Sequence, residues 1–200
     1  MKTMRIVVWV AVVIVAGLLG WLSFGITKSP EAAGEGPYGV PFTLVAQNGQ
    51  SISDQAFRGK PTALFFGYTH CPDVCPTTLF ELDGWMKQVD PDGTKLNAYF
   101  VTVDPERDTP AIMNQYVSNV STRITGISGD ADKVMDMVKG FRVFAKKVPL
   151  DAKDPNGDYT MDHTASVFLL DSAGRFAGTI SYNENADIAV KKLQNLIKKG

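Results

Sequence analysis

Hydrophobic and polar positions divide this chain into one unbroken apolar run and a series of short patterned segments. Ile6 to Ile26 is a 21-residue run without charge, and Ser23 is its one conventionally polar side chain. A helix of that length, rising about 1.5 Å per residue, spans the roughly 30 Å hydrocarbon core of a bilayer. Trp9 and Trp21 lie near its two ends, where aromatic rings favour the interface. The competing reading is a cleaved signal peptide, whose apolar stretch is usually about 7–15 residues. This run is longer, and Glu31-Ala32-Ala33 is a weak cleavage sequence, so residues 1–27 are expected to form a retained transmembrane anchor. Lys2 and Arg5 precede the run, which places the N-terminus in the cytoplasm and exports everything after Thr27. No Cys follows to support lipoprotein processing, and no Arg/Ser-rich transit sequence precedes the run. The expected address is a bacterial inner membrane, with the C-terminal domain in the periplasm. Residues 28–37 (KSPEAAGEGP) have no apolar period and read as a linker.

Residues 38–200 then alternate in period. Pro41–Val45 and Ser51–Ser53 around Asn48-Gly49 predict a small hairpin. Thr62–Tyr68 (TALFFGY) predicts a central strand buried on both faces. In Pro76–Val89, Leu79, Leu82, Met86 and Val89 recur at helical steps. Leu96–Val103 predicts a second strand, and a helix follows from Thr109-Pro110 to about Val120, capped by Asp108 or Thr109. A short strand, Arg123–Ile127, precedes a helix over Ala131–Gly140 with Asp130 as cap and Gly140 as stop. Phe141–Val148 is expected to be extended, and Ser166–Leu170 with Arg175–Ser181 to form a hairpin. Ala186–Lys199 predicts an amphipathic helix with Ile188, Leu193, Leu196 and Ile197 inward. This order implies an α/β fold: a mixed sheet with a parallel portion, whose ligands sit beyond the carboxyl ends of the strands.

Composition narrows the function classes. With 44% hydrophobic and 20% charged residues the chain is neither disordered nor fibrous. Residues 28–200 carry 18 basic and 21 acidic side chains, so no nucleic-acid partner is expected. The two Cys and two His exclude a disulfide-stapled miniprotein and any multi-zinc module.

Both cysteines lie in Thr69-His70-Cys71-Pro72-Asp73-Val74-Cys75-Pro76, between the central strand and a helix. Read as positions i and i+4 of a helical turn, their Cβ atoms are about 5–6 Å apart, so the thiolates can converge on one soft metal ion. A helix N-terminus also lowers a thiol pKa. A structural disulfide is the plainer reading, but a bridge across three residues removes little unfolded-state entropy. The spacing is one residue longer than the Cys-x-x-Cys of thioredoxin-type oxidoreductases, and four closed zinc ligands are lacking. Two thiolates and an imidazole suit copper, as Cu(I) and as Cu(II). His70 and His163 are both candidates for the imidazole. His70 adjoins Cys71 but points off the Cys71–Cys75 face, whereas His163 lies in a loop long enough to fold over the site. Asp162 is a candidate for orienting that imidazole. Met161 offers a thioether, for which packing is the commoner use. Asp104, Arg107 and Asp108 read as a strand-end loop held by ion pairs and a helix cap, with a partner-docking surface as the alternative.

Three blocks, FFGYTHCPDVCPTTL (Phe65–Leu79), VDPERDTP (Val103–Pro110) and DHTASVFLLD (Asp162–Asp171), resemble the signature blocks of the Sco/SenC family. These are membrane-anchored copper-binding proteins of cytochrome c oxidase assembly. The resemblance runs from about Val40 to the C-terminus. It implies a thioredoxin-like fold with an N-terminal β-hairpin, preceded by one transmembrane helix, and it implies Cys71, Cys75 and His163 as copper ligands, with His70 outside them. The implied function is a copper metallochaperone, fed by an upstream copper donor, whose recipient is the dinuclear copper centre of oxidase subunit II or another apo-cuproprotein. The same residues support a thiol–disulfide oxidoreductase, with Cys71 and Cys75 as the redox pair acting on the recipient's cysteines. A copper- or redox-responsive signalling module is the third class.

Overall fold

A computed structural model describes residues 36–154 and 157–199, with Trp9, Ile14 and Val15 besides. The chain divides into two compact units, Met1–Gly34 and Glu35–Gly200. The expected membrane anchor and most of the linker therefore lie outside the described residues. Among the described residues, no helix is long and apolar enough to cross a membrane.

The second unit is built on a seven-stranded sheet in the order β2-β1-β5-β4-β3-β8-β9. Its strands are β1 (Thr43–Ala46), β2 (Ser51–Ser53), β3 (Thr62–Gly67), β4 (Asn97–Thr102), β5 (Ile124–Ser128), β8 (Ser166–Leu170) and β9 (Phe176–Ser181). β3, expected to be central, stands beside the central strand β4, and every one of its residues is buried. It runs parallel to β4, as β4 does to β5, while β8 pairs antiparallel on its other side. The remaining pairs, β1–β2, β1–β5 and β8–β9, are antiparallel. This is the mixed sheet that the alternation of periods implies.

Four helices cover the sheet: α1 (Val74–Val89), α2 (Pro110–Ser118), α3 (Ala131–Gly140) and α4 (Ala186–Lys199). α1 packs on α4, which buries Ala189, Val190, Leu193 and Leu196. Ile188, expected inward, is instead 51% exposed. At about 100° per residue, position 188 lies about 100° from 189 and about 140° from 193, off the buried stripe. α2 begins as anticipated, with the Thr109 hydroxyl accepting from the Ile112 N–H and Pro110 at the first helical position. Thr109, not Asp108, is thus the cap. Asp130 caps α3 by accepting from the Lys133 N–H. Gly140, expected as the stop, is still helical, and Arg142 (φ 56°) takes the left-handed conformation beyond it. The glycine answers another need: a Cβ there would lie 2.3 Å from Val40 Cγ2.

A separate two-stranded antiparallel sheet, β6 (Ala145–Pro149) with β7 (Tyr159–His163), was only half anticipated. Its first strand falls in the expected extended stretch. Its second replaces the loop expected around His163. In Tyr159–His163 only Met161 is buried, and the alternation of Tyr159 and Met161 with Thr160 and Asp162 is the short signal that was available.

Candidate metal centre

β3 and β4 are parallel neighbours, so the segments leaving their carboxyl ends emerge side by side. The first leads from Tyr68 to Cys71 and into α1. The second is Val103–Asp108. A fully buried carboxylate, Asp108, stitches them together. One of its oxygens accepts from the Thr69 N–H (3.0 Å) and the Thr102 hydroxyl (2.7 Å), and the other accepts from the Thr69 hydroxyl (2.5 Å). Burial pushes the Asp108 carboxyl above the usual range against these three donors. Asp104, also buried, pairs with Arg107 and accepts from the Tyr159 hydroxyl at 2.8 Å. The second block is therefore a structural brace, as its capping pattern implies. Its buried acids are not available as a docking surface.

Cys71 and Cys75 do not occupy one helical turn together. α1 starts at Val74, leaving Cys71 in the preceding loop, half-buried, while Cys75 is fully buried in the first turn. Both are free thiols. The Cys71 sulfur accepts from the Cys75 backbone N–H at 3.3 Å, so it satisfies one of the unpaired donors at the helix N-terminus. Hydrogen bonding from the Cys75 thiol, opposed by burial and reinforced by the backbone N–H groups of Cys75 and Asp73, pulls the Cys71 thiol down to about 3. The same bond, together with burial, pushes Cys75 up. The metal-free pair is one thiolate and one thiol that share a hydrogen bond.

His163 ends β7 and completes the group. Its Nε2 lies 3.5 Å from the Cys75 sulfur, and the ligand atoms of Cys71, Cys75 and His163 all fall within 4.8 Å of one another. On the other side of the ring, Nδ1 is 3.1 Å from the Thr164 carbonyl oxygen. A carbonyl only accepts, so Nδ1 carries the proton and the Nε2 lone pair faces the sulfurs. The rings of Tyr68 and Phe65 stand edge-on to the imidazole, with centroids 5.8 and 6.2 Å away. Asp162 does not orient the ring. It is exposed, and strand alternation turns it to the face opposite His163. His70 is exposed at the rim, with Nδ1 3.2 Å from the Thr69 hydroxyl and 3.8 Å from Asp108. Met161 is buried in the core.

One contributor was not singled out in the sequence. Gly67 ends β3, and a Cβ there would lie 2.7 Å from the Cys75 sulfur and 2.8 Å from Phe100. The available signal was a glycine inside an otherwise apolar strand, which marks a close approach.

The fold and site together define a mixed α/β domain with a Cys-x3-Cys pair and a distant histidine converging beyond β3. The SCO1/SenC family model matches residues 30–198, and the chain belongs to that family. Its similarity to the mitochondrial protein SCO2 of Saccharomyces cerevisiae is 34% identity over 168 residues, 84% of this chain. The match spans 55% of the yeast protein's length. The structure of Bradyrhizobium japonicum ScoI with copper bound shares 45% identity at a TM-score of 0.72, covering 80% of this chain and 99% of that one. Yeast Sco1 with copper bound shares 31% identity at a TM-score of 0.73, covering 82% and 90%. The thioredoxin-like fold of these relatives is the fold of residues 36–199.

Proposed function

We propose that Cys71, Cys75 and His163 hold one copper ion and that the chain is a copper metallochaperone of cytochrome c oxidase assembly. The observation that carries this reading is the convergence of two sulfurs and one imidazole nitrogen within 4.8 Å. The donors suit the metal. Thiolates favour Cu(I), the imidazole keeps Cu(II) accessible, and copper is the ion bound by the ScoI and yeast Sco1 relatives. One thiol is already ionised, so binding has to displace the Cys75 proton alone. Three ligands leave room for an incoming thiolate, which permits transfer through shared ligands. The recipient is the dinuclear copper centre of oxidase subunit II. Residues 1–27 anchor the domain to the periplasmic face of the inner membrane and raise its effective concentration at a membrane-bound recipient.

A second reading has its own support in the asymmetry of the free thiols. The accessible Cys71 thiolate attacks a recipient disulfide and releases one recipient thiolate. Cys75 then loses its proton and attacks the Cys71 sulfur, which frees the second recipient thiolate and leaves a Cys71–Cys75 disulfide. Deletion of the chain in copper-limited cells separates the two. If delivery is its role, added copper restores much of the oxidase activity by mass action. Restoration by a thiol reductant alone would sink the delivery reading in favour of the reductase.

A further inference from the structure

The strand that supplies His163 belongs to a hairpin with little to hold it. Among the described residues, β6 and β7 pair only with each other. The bonds between Phe144 and Thr164 lie within the same hairpin. Its position against the body depends on side chains: Met161 is buried in the core, and the charged contacts gather at the end of β7 away from His163. Tyr159 opens the strand and is held on every side. Its hydroxyl donates to the buried Asp104 carboxylate at 2.8 Å, and its carbonyl accepts from Arg107 Nη1 at 3.0 Å. The Arg107 guanidinium lies 3.8 Å from its ring centroid, and Lys147 Nζ, paired with Glu106, lies 4.7 Å from it. Arg107 Nε in turn bonds Asp104. One residue further on, the Thr160 hydroxyl meets the Tyr68 hydroxyl at 2.7 Å.

We infer that Asp104, Arg107 and Tyr159 form a clamp that sets the distance of the His163 imidazole from the two cysteines. The inference rests on the reading of His163 as a copper ligand. Its physical basis is leverage. Tyr159 and His163 are four steps apart on one strand, about 13 Å at 3.3 Å per residue. The buried Asp104 and its half-buried partner Arg107 fix one end of that rod, and the imidazole is the other end. The cysteines stand on α1 and the loop after β3. The clamp residues bond neither cysteine, and Asp108 holds that loop through Thr69, so loosening the clamp moves the nitrogen donor more than the sulfur donors. Asp104, Arg107 and Tyr159 are positioning residues by this argument.

The test uses the reduced full chain titrated with Cu(I) and with Cu(II), comparing Tyr159→Phe, Arg107→Gln and Arg107→Lys with His163→Ala. Partners that orient a ligand typically cost about 10–100-fold in metal affinity when removed. Tyr159→Phe and Arg107→Gln should weaken Cu(II) binding by about tenfold. They should also move the sulfur-to-Cu(II) absorption, and the nitrogen hyperfine pattern in electron paramagnetic resonance, toward those of His163→Ala. Cu(I) affinity, carried by the sulfurs, should change much less, and Arg107→Lys should recover part of the Cu(II) signature. Tyr159→Phe removes a single oxygen and decides the matter if Arg107→Gln does not fold. Wild-type Cu(II) affinity and spectra in Tyr159→Phe, beside an altered His163→Ala, would overturn the clamp alone. A wild-type spectrum in His163→Ala would overturn the ligand reading and the clamp with it.

Discussion

Replacing Gly67 by Ala adds one methyl group at the most crowded point behind the site. The new Cβ would stand 2.7 Å from the Cys75 sulfur and 2.8 Å from Phe100 Cε2, with Phe65 Cε1 at 3.2 Å. Carbon and sulfur do not approach so closely, and none of the three neighbours has free space, since all are fully buried. The backbone has little freedom either. Gly67 is in register with Thr102 on β4, and its carbonyl accepts from the Val103 N–H at 2.7 Å. Overpacking of this kind costs about 1–3 kcal/mol. For a domain of this size that corresponds to a fall in Tm of about 2–12 °C. The larger consequence is local: the cheapest relief is a shift of the Cys75 side chain, which moves one sulfur relative to Cys71 and His163. Thermal melting of the metal-free protein reads the first effect, and Cu(I) affinity with the Cu(II) absorption spectrum reads the second. A Gly67→Ala protein with wild-type Tm and wild-type copper spectra would refute the argument that Cys75 is wedged in place by the absence of a Cβ.

Four further outcomes are expected. Because folding lowers the Cys71 thiol from its ordinary 9.0 to about 3 and raises that of Cys75, alkylation at pH 5 followed by peptide mass spectrometry should label Cys71 and spare Cys75. The stability that Cys71 contributes is fully present above its unfolded value and is lost as pH falls through the folded one, so Cys71→Ser should flatten the acid limb of the stability curve. Asp90→Ala removes the acceptor of three backbone N–H groups, those of Thr94, Lys95 and Leu96, at 3.1, 2.8 and 3.1 Å. It should destabilise the domain by about 3 kcal/mol, seen as a lower denaturation midpoint, while copper spectra stay unchanged. A periplasm-dependent reporter fused after Gly200 should be active and remain in membranes through a carbonate wash. A soluble form beginning near Gly34 would show instead that the apolar run is cleaved.

The parts of this fold that were legible in the sequence are those fixed by local pattern. β3 is a dense apolar run, α3 has its Asp130 cap, and the hairpin from Ser166 to Ser181 has its turn residues between two strands. The cysteine pair was legible for a different reason: the chain has no other cysteine with which to confuse it. What could not be read locally is the placement of His163. That depends on the ladder from Ala145↔His163 to Pro149↔Tyr159, which pairs a five-residue alternation with a segment, Ala145–Pro149, that has none. The resemblance of three blocks singled out the right histidine, but not the strand that carries it. Asp162, open between orienting the imidazole and standing in solvent, could not be decided for the same reason, because its face is set by a strand that was expected to be a loop. Ile188 was misplaced against the helical wheel itself, which sets it about 140° from the buried Leu193. The helix start was misplaced by two residues because Pro76 fits the first turn as well as its first position. That earlier start brings Cys75 into the first turn, where its backbone N–H donates to the Cys71 sulfur.

The central claim is that two sulfurs and the His163 nitrogen hold a single copper. X-ray absorption at the copper edge of the loaded full chain, beside His163→Ala and His70→Ala, tests it most directly. One copper per chain with two sulfur neighbours and one imidazole nitrogen is expected, and the nitrogen should vanish in His163→Ala and persist in His70→Ala. Loss of the nitrogen in His70→Ala instead, or a copper with fewer than two sulfur neighbours in the unmutated chain, would contradict the account.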